Sequence, residues 1–123
     1  MKKKILTLKD LEIYQLANLI GNEIWPIVSN WKYFEKDTIG KQLCRSVDSI
    51  SANIAEGFGR FYFKENKLFC YYSKGSLMES MNWIEKSFNR NLISEEKFIE
   101  INDQLENLLL KLNTYIKSIG KVS

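Results

Sequence analysis

Apolar residues recur at intervals of three or four along most of the chain, the spacing of one face of an α-helix. The pattern predicts four helices, over residues 8–29, 37–58, 63–88 and 95–119. No alternating pattern typical of a β-strand competes with it. Helices 1, 2 and 4 each carry one main apolar stripe. The stripes are Ile13, Ala17, Ile20, Ile24, Ile27 and Trp31 on helix 1; Ile39, Leu43, Val47, Ile50, Ile54 and Phe58 on helix 2; and Phe98, Ile101, Leu105, Leu108, Leu112, Tyr115 and Ile119 on helix 4.

Helix 3 differs because its apolar residues cover more than one face. A helix that is apolar on two sides needs two partners. Four helices with short links predict an all-α, antiparallel up-down-up-down four-helix bundle, formed as one domain by residues 1–123. The second face of helix 3, and Tyr14, Trp25 and Val28 beside the stripe of helix 1, predict self-association of the bundle.

The expected helix ends follow from capping residues and from the single proline. We expect Pro26 to kink helix 1 near Asn22 or to end it early. We expect Gly59 to end helix 2 in the left-handed conformation. The expected N-caps are Thr7 or Asp10 for helix 1, Asp37 for helix 2 and Ser94 for helix 4.

The composition argues against an enzyme. The chain has no histidine, which removes the commonest general base and the commonest zinc ligand. We therefore expect no catalytic residues, no bound metal and no cofactor. Its two cysteines, Cys44 and Cys70, lie in apolar helical patterns, and we interpret them as small core residues rather than as a disulfide or a reactive thiol.

The first residues, including Lys2–Lys4, begin like a signal peptide, but charged residues interrupt the apolar run from Lys9 onward. No segment approaches the roughly 18 uninterrupted apolar residues of a membrane span. We therefore expect a cytoplasmic protein without a membrane partner, in which Lys2–Lys4 forms a disordered basic arm.

Helix 2 also carries a polar stripe at helical spacing, beside its apolar one. In an antiparallel pair, Arg45 should lie level with Gly75 and Glu79 of helix 3. We expect Glu79 to accept hydrogen bonds from Arg45, and Gly75 to let the two backbones approach closely. The stripe is either a structural network that fixes helix register or a subunit contact, or it is a site for phosphate or a nucleic-acid backbone. Its members are Arg45, Ser49, Asn53, Glu56 and Arg60.

Three segments resemble one known family. They are the run Ser-Ile-Ser-Ala-Asn-Ile-Ala-Glu-Gly-Phe-Gly-Arg at 49–60, Gly-Ser-Leu-Met-Glu at 75–79, and Asp-Leu-Glu-Ile-Tyr-Gln at 10–15. Together they resemble the four-helix-bundle proteins encoded within intervening sequences of bacterial 23S ribosomal RNA genes. The resemblance covers nearly the whole chain. Its structural motif positions correspond to Ser49, Asn53, Glu56, Gly57, Gly75, Ser76 and Glu79, together with Arg45 and Arg60.

The resemblance implies a ring-like homopentamer of antiparallel bundles without enzymatic activity. It also implies similarity to the accessory protein of diversity-generating retroelements, a pentameric barrel that binds nucleic acid and a reverse transcriptase. The chain departs from the family at Tyr62, where a Ser or Thr often caps helix 3. An aromatic triplet, Phe61–Phe63, stands there instead. Its rings could stack on unpaired bases, or they could be buried against a neighbouring subunit or the loop that begins at Asn30.

Charge is distributed unevenly along the chain, although the net charge is only +3. Helix 2 and the first half of helix 3 form the basic part. We predict RNA or DNA binding there, strengthened by repetition around a ring. The alternative is a pure assembly or protein-interaction module, and a separate partner protein is compatible with either. The predicted nucleic-acid-binding residues are Lys41, Arg45, Arg60, Lys64, Lys67 and Lys74.

Overall fold

The computed structural model describes residues 6–121, and all regular elements within that range are helical. Four long helices, labelled α1 to α4, span Glu12–Ser29, Lys41–Phe58, Phe63–Asn89 and Glu95–Ser118. Each packs on the next along the chain, and α1 also packs on α4, which closes a four-helix bundle. The predicted fold class is confirmed. The basic arm predicted at Lys2–Lys4 lies outside the described residues.

The N-terminal capping prediction is correct in part. Thr7 donates from its backbone N–H and its Oγ1 to Asp10 Oδ2, at 2.8 and 2.9 Å. These hydrogen bonds lower the pKa of Asp10. They stabilise a short 3-10 turn, Leu8–Asp10, whereas α1 itself starts after Leu11 without a side-chain cap. The helix continues through the exposed Pro26 to Ser29, so it does not end early.

The predicted start of the second helix is wrong. Helical structure begins at Tyr33 with one α-helical turn, Tyr33–Glu35, and continues through a π-helical turn, Lys36–Gly40, into α2. Asp37 lies inside the π-helical turn, so it cannot be an N-cap. Its carboxylate pairs instead with Lys41 at 3.2 Å.

The C-terminal cap of α2 also differs from the prediction. Gly59 occupies the C-cap with φ −78°, in the right-handed region. Among the described residues the left-handed conformation occurs at Asn91 and Gly120, with φ values of 60° and 81°. Ser94 is confirmed as the N-cap of α4, because its Oγ accepts from the backbone N–H of Lys97 at 3.1 Å.

The predicted apolar stripes form most of the core. On α1, Val28 is buried in place of Ile27, which packs at its edge. Phe58, Phe98 and Tyr115 are likewise only partly buried, at the margins of the core. Each fully buried aliphatic side chain contributes about 1.5–3 kcal/mol, so these stripes supply the main driving force for folding. The buried core residues in the predicted stripes are Ile13, Ala17, Ile20, Ile24, Ile39, Leu43, Val47, Ile50, Ile54, Ile101, Leu105, Leu108, Leu112 and Ile119.

Different contacts join the helices at the two ends of the bundle. At one end, Trp31 Nε1 donates to Leu92 O at 3.2 Å and ties the α1–α2 link to the α3–α4 link. At the other end, the start of α3 meets the end of α4, where a methyl group at Gly120 would lie 3.2 Å from Phe63 Cδ2. The loop that begins at Asn30 therefore lies at the opposite end from the aromatic triplet.

Candidate assembly and nucleic-acid interface

The predicted contact between α2 and α3 is present. Arg45 Nη2 lies 2.5 Å from Glu79 Oε2. Gln42 Oε1 accepts from the same nitrogen at 3.0 Å, and Trp83 Nε1 donates to Glu79 Oε2 at 3.0 Å. The two charged side chains remain 56% and 37% exposed, so the pair contributes no more than about 1 kcal/mol. Its main effect is to fix the register of the two helices.

The other members of the polar stripe are also satisfied within the chain. Ser49 Oγ donates to Arg45 O at 2.7 Å, and Asn53 Nδ2 donates to Ser49 O at 2.9 Å. Arg60 lies 2.6 Å from the Glu56 carboxylate and also packs over the ring of Phe69, 4.7 Å from its centroid. These contacts favour the structural interpretation of the stripe over a phosphate site.

The prediction for Gly75 is wrong. A methyl group at Gly75 would meet no heavy atom within 4 Å, so this glycine does not bring α2 and α3 together. The close approach is at Gly57, where a methyl group would lie 2.7 Å from Asn66 Oδ1 and 3.1 Å from Phe69 Cβ. Gly57 is the motif glycine that the packing requires.

The sequence patterns did not reveal the buried face of α3. Ser80 Oγ lies 3.0 Å from Ser46 Oγ, and Ser73 Oγ donates to Ile50 O at 2.8 Å. Small hydroxyl side chains thus fill the narrow space between α2 and α3, and their hydrogen bonds satisfy them there. We call this buried row the inner seam; it consists of Cys70, Ser73, Leu77, Ser80, Ile84 and Ser87.

A second row on α3 has the same three-and-four spacing but is two residues out of phase. At about 100° per residue it lies on the opposite side of the helix. We call it the outer stripe and define it as Leu68, Tyr71, Gly75 and Met78. Leu68, Tyr71 and Met78 are 46%, 55% and 50% exposed. The predicted second apolar face of α3 therefore has no partner within residues 6–121.

Basic residues lie next to the outer stripe where α3 begins. A surface groove of about 390 Å³ is lined by Leu68 and Tyr71, by Lys64 and Lys67, and by Glu65. Within residues 6–121, Lys64, Lys67 and Lys74 form no ion pair. By contrast, the other predicted basic residues are paired with carboxylates, namely Lys41, Arg45 and Arg60.

The aromatic triplet is exposed at the end of the bundle. Phe61 is 88% exposed, and Tyr62 and Phe63 are each 64% exposed. Tyr62 occupies the N-cap position of α3 without a side-chain cap bond. We call the triplet, with Arg60, Lys64 and Lys67, the aromatic end. The loop that begins at Asn30 does not cover it.

Burial in the bundle raises the pKa values of two cysteines and one tyrosine. Burial raises the pKa of the Cys70 thiol to about 11 and also raises that of Cys44. Both cysteines are free; Cys70 is in the core, as predicted, while Cys44 is only partly buried. Burial likewise raises the pKa of Tyr115, whose hydroxyl accepts from Asn66 Nδ2 at 3.4 Å. Across residues 6–121, no three His, Cys, Asp or Glu side chains group closely enough to hold a metal ion.

Among the described helices, none has the length and apolar character needed to cross a membrane.

The fold defines the class of protein as an antiparallel four-helix bundle. Its α3 has an exposed second apolar face, and the polar stripe on its α2 forms its hydrogen bonds and ion pairs within the chain. The sequence profile of the 23S rRNA-intervening sequence proteins matches residues 9–114. The chain therefore belongs to the 23S rRNA-intervening sequence protein family, as its motifs predicted.

A solved structure shares the fold. It is the crystal structure of a protein with unknown function from the S23 ribosomal protein family of Bacteroides thetaiotaomicron, with a TM-score of 0.77. The two sequences are 20% identical, and the alignment covers 85% of this chain and 98% of the other. At this identity the likeness supports the fold alone. No protein with a curated function matches the chain significantly.

Proposed function

We propose that this protein is a non-catalytic building block that assembles into a homo-oligomer, a pentamer by family resemblance, and that the assembly binds RNA or DNA as an accessory to another protein. The observation that carries assembly is the outer stripe. Its apolar side chains are about half exposed in the protomer, and its heptad-like spacing is that of a helix–helix seam. Burying it between copies removes this apolar surface from water.

Gly75 supports the same interface. It lies between Tyr71 and Met78 and leaves open space where other residues have a side chain. A glycine within an exposed helix destabilises the protomer by about 0.5–1 kcal/mol relative to alanine. A second helix that packs close to the backbone at this position would offset that cost, because small residues allow close approach.

Assembly is tested by size-exclusion chromatography with light scattering at several protein concentrations. We expect the wild-type chain to elute at five times the chain mass. Met78→Glu should shift it to the monomer, because the seam would then bury an unpaired charge. Leu110→Glu is the matched control, since Leu110 is an exposed leucine on α4, and its mass should not change. A wild-type monomer at every concentration would refute the proposal.

Nucleic-acid binding is supported by the basic residues without ion pairs. Lys64, Lys67 and Lys74 have no carboxylate partner among the described residues, so their charges remain available to phosphates. Repetition in an oligomer multiplies a small number of phosphate contacts into a salt-dependent affinity. Because Lys41, Arg45 and Arg60 are paired with carboxylates, the proposed nucleic-acid-binding surface lies on α3 rather than on α2.

Binding is tested by titrating the intact oligomer with structured RNA and duplex DNA at low and moderate salt. The double substitution Lys64→Glu and Lys67→Glu should weaken binding and lower the salt slope by about 2, which corresponds to two lost phosphate contacts. The control is Lys32→Glu with Lys36→Glu, because both are exposed lysines at the opposite end. Absence of binding by the intact oligomer at low salt would favour the alternative, a pure assembly or protein-interaction module.

A further inference from the structure

We propose that the aromatic end stacks on unpaired bases, so that the protein binds single-stranded RNA or DNA in preference to duplex. This inference rests on the nucleic-acid binding proposed above and specifies its substrate class. Aromatic side chains beside basic residues are the usual means by which proteins hold single strands without reading their sequence.

The geometry of the rings favours stacking. The Phe61 and Tyr62 rings meet edge to face, with centroids 5.0 Å apart and planes at 86°. Because an edge-to-face contact covers only part of each ring, both rings keep accessible surface, in agreement with their exposures of 88% and 64%. The neighbouring Phe63 lies against Gly120 at the end of α4. This contact anchors the segment that carries the two free rings.

Charge distinguishes this end from the other end of the bundle. The three segments at the aromatic end, residues 6–12, 56–68 and 117–121, together contain six basic and four acidic residues, a net of +2 that includes the Glu56 partner of Arg60. The opposite end has a comparable exposed pair, Tyr33 and Phe34, at 78% and 71%. However, the two segments at that end, residues 30–41 and 89–96, together contain four basic and four acidic residues, a net of 0. Only the aromatic end combines free rings with an excess of charge complementary to a phosphate backbone.

A duplex binds these rings less favourably, because its bases are already stacked and paired and a ring can enter only where a base step unstacks. Unpaired bases can leave their own stack and cover an aromatic face. In a closed ring every copy presents the same end on the same side. The aromatic ends would therefore lie together on one rim, where a single strand could contact several of them.

The test measures the affinity of the full-length protein for a fluorescein-labelled oligouridylate of about 20 nucleotides and for an RNA duplex of similar length, by fluorescence anisotropy. The wild-type protein should bind the single strand more tightly. Phe61→Ala with Tyr62→Ala should weaken single-strand binding at least about fivefold and leave duplex binding unchanged. The salt slope should also stay unchanged, because stacking releases no counterions.

The matched control is Tyr33→Ala with Phe34→Ala, which removes one tyrosine and one phenylalanine at the other end and should bind like wild type. Unchanged single-strand affinity in the Phe61 and Tyr62 variant, or an equal loss for both probes, would overturn the inference while leaving nucleic-acid binding intact. A smaller oligomer mass for that variant would also overturn it, since a neighbouring subunit would then cover the rings. If the wild-type protein binds neither probe, the nucleic-acid part of the proposed function fails as well.

Discussion

Gly57 and Gly75 both belong to the family motifs, yet their surroundings are opposite. Gly57 faces Asn66 and Phe69 across the α2–α3 contact, whereas Gly75 faces open space. The register of Arg45 with Glu79 could be counted from the sequence because antiparallel helices with a short link have a fixed offset. The face of α3 on which Gly75 lies could not be predicted, because α3 has apolar residues on two sides and the sequence does not show which side faces the core.

These surroundings predict that an alanine substitution has opposite effects on the free energy of unfolding at the two positions. Gly57→Ala should destabilise the fold by about 1–3 kcal/mol, because the added methyl group clashes with the Asn66 backbone and the Phe69 Cβ. Gly75→Ala should stabilise the protomer by about 0.5–1 kcal/mol through its helix propensity. Urea unfolding in a Met78→Glu background, which removes pairing of the outer stripe, measures both. Equal stabilities for the two variants would contradict the assignment of inner and outer faces.

Cys70 provides a second prediction for a single residue. Its pKa of about 11 means that little thiolate exists at pH 8, and its side chain is 0% exposed. Iodoacetamide should therefore modify Cys70 only after denaturation and modify the half-buried Cys44 earlier. Because burial raises the pKa of Cys70 in the folded state, the free energy of unfolding should fall as the pH rises from about 8.5, the pKa of an unfolded cysteine, towards about 11. Mass spectrometry of timed samples, with a Cys44→Ala variant to isolate Cys70, measures the labelling. Rapid modification of native Cys70 at pH 8 would contradict its burial.

At the level of the helices, the apolar stripes of α1, α2 and α4 were predictable because Ile, Leu and Val dominate their buried faces. The inner seam of α3 was not, because Ser73, Ser80 and Ser87 occupy half of it. Serine has no hydrophobic signature, although its spacing of seven matches the helix repeat. The start of the second helix was missed because its first turn, Tyr33–Glu35, contains no buried residue and therefore carries no part of an apolar stripe.

The seam predicts a strong effect from adding volume between α2 and α3. Ser80→Leu should destabilise the protein by about 1–3 kcal/mol or more, because the three additional carbons that replace the hydroxyl oxygen cannot fit beside Ser46 without separating the helices. Glu85→Leu is the control, an exposed position on the same helix, and should change stability by less than about 0.5 kcal/mol. Thermal unfolding followed by circular dichroism compares them. If Ser80→Leu melts at the wild-type temperature, the close approach of the two helices is wrong.

For the whole molecule, the family and the bundle could be predicted because the motifs are specific and the helices are long. The presence of a second apolar face on α3 was predicted too. Which residues form it, and whether the aromatic end is exposed, could not be predicted, because sequence patterns do not show which apolar residues exceed the capacity of the core. Leu68 and Leu77, for example, are both apolar residues of α3, but one is 46% exposed and the other is fully buried. Only the packing of the other three helices determines this difference.

If the outer stripe holds copies together, the stability of the molecule must depend on protein concentration. The melting temperature should rise by several degrees between roughly 1 and 100 µM, because association stabilises the folded chain by mass action. The rise should be absent in Met78→Glu. Differential scanning fluorimetry over this range measures it, and a wild-type melting temperature that is constant across it would argue against assembly through α3.

The π-helical turn at Lys36–Gly40 has an evolutionary consequence. Such turns contain one residue more than the surrounding α-helix requires. Deletion of the exposed Thr38 would convert the turn into ordinary α-helix and rotate only the short stretch before it, with Ile39 and everything after it left in place. We therefore expect related sequences to differ in length by one residue at this turn more often than within α2, which a comparison of their lengths between Trp31 and Lys41 would measure.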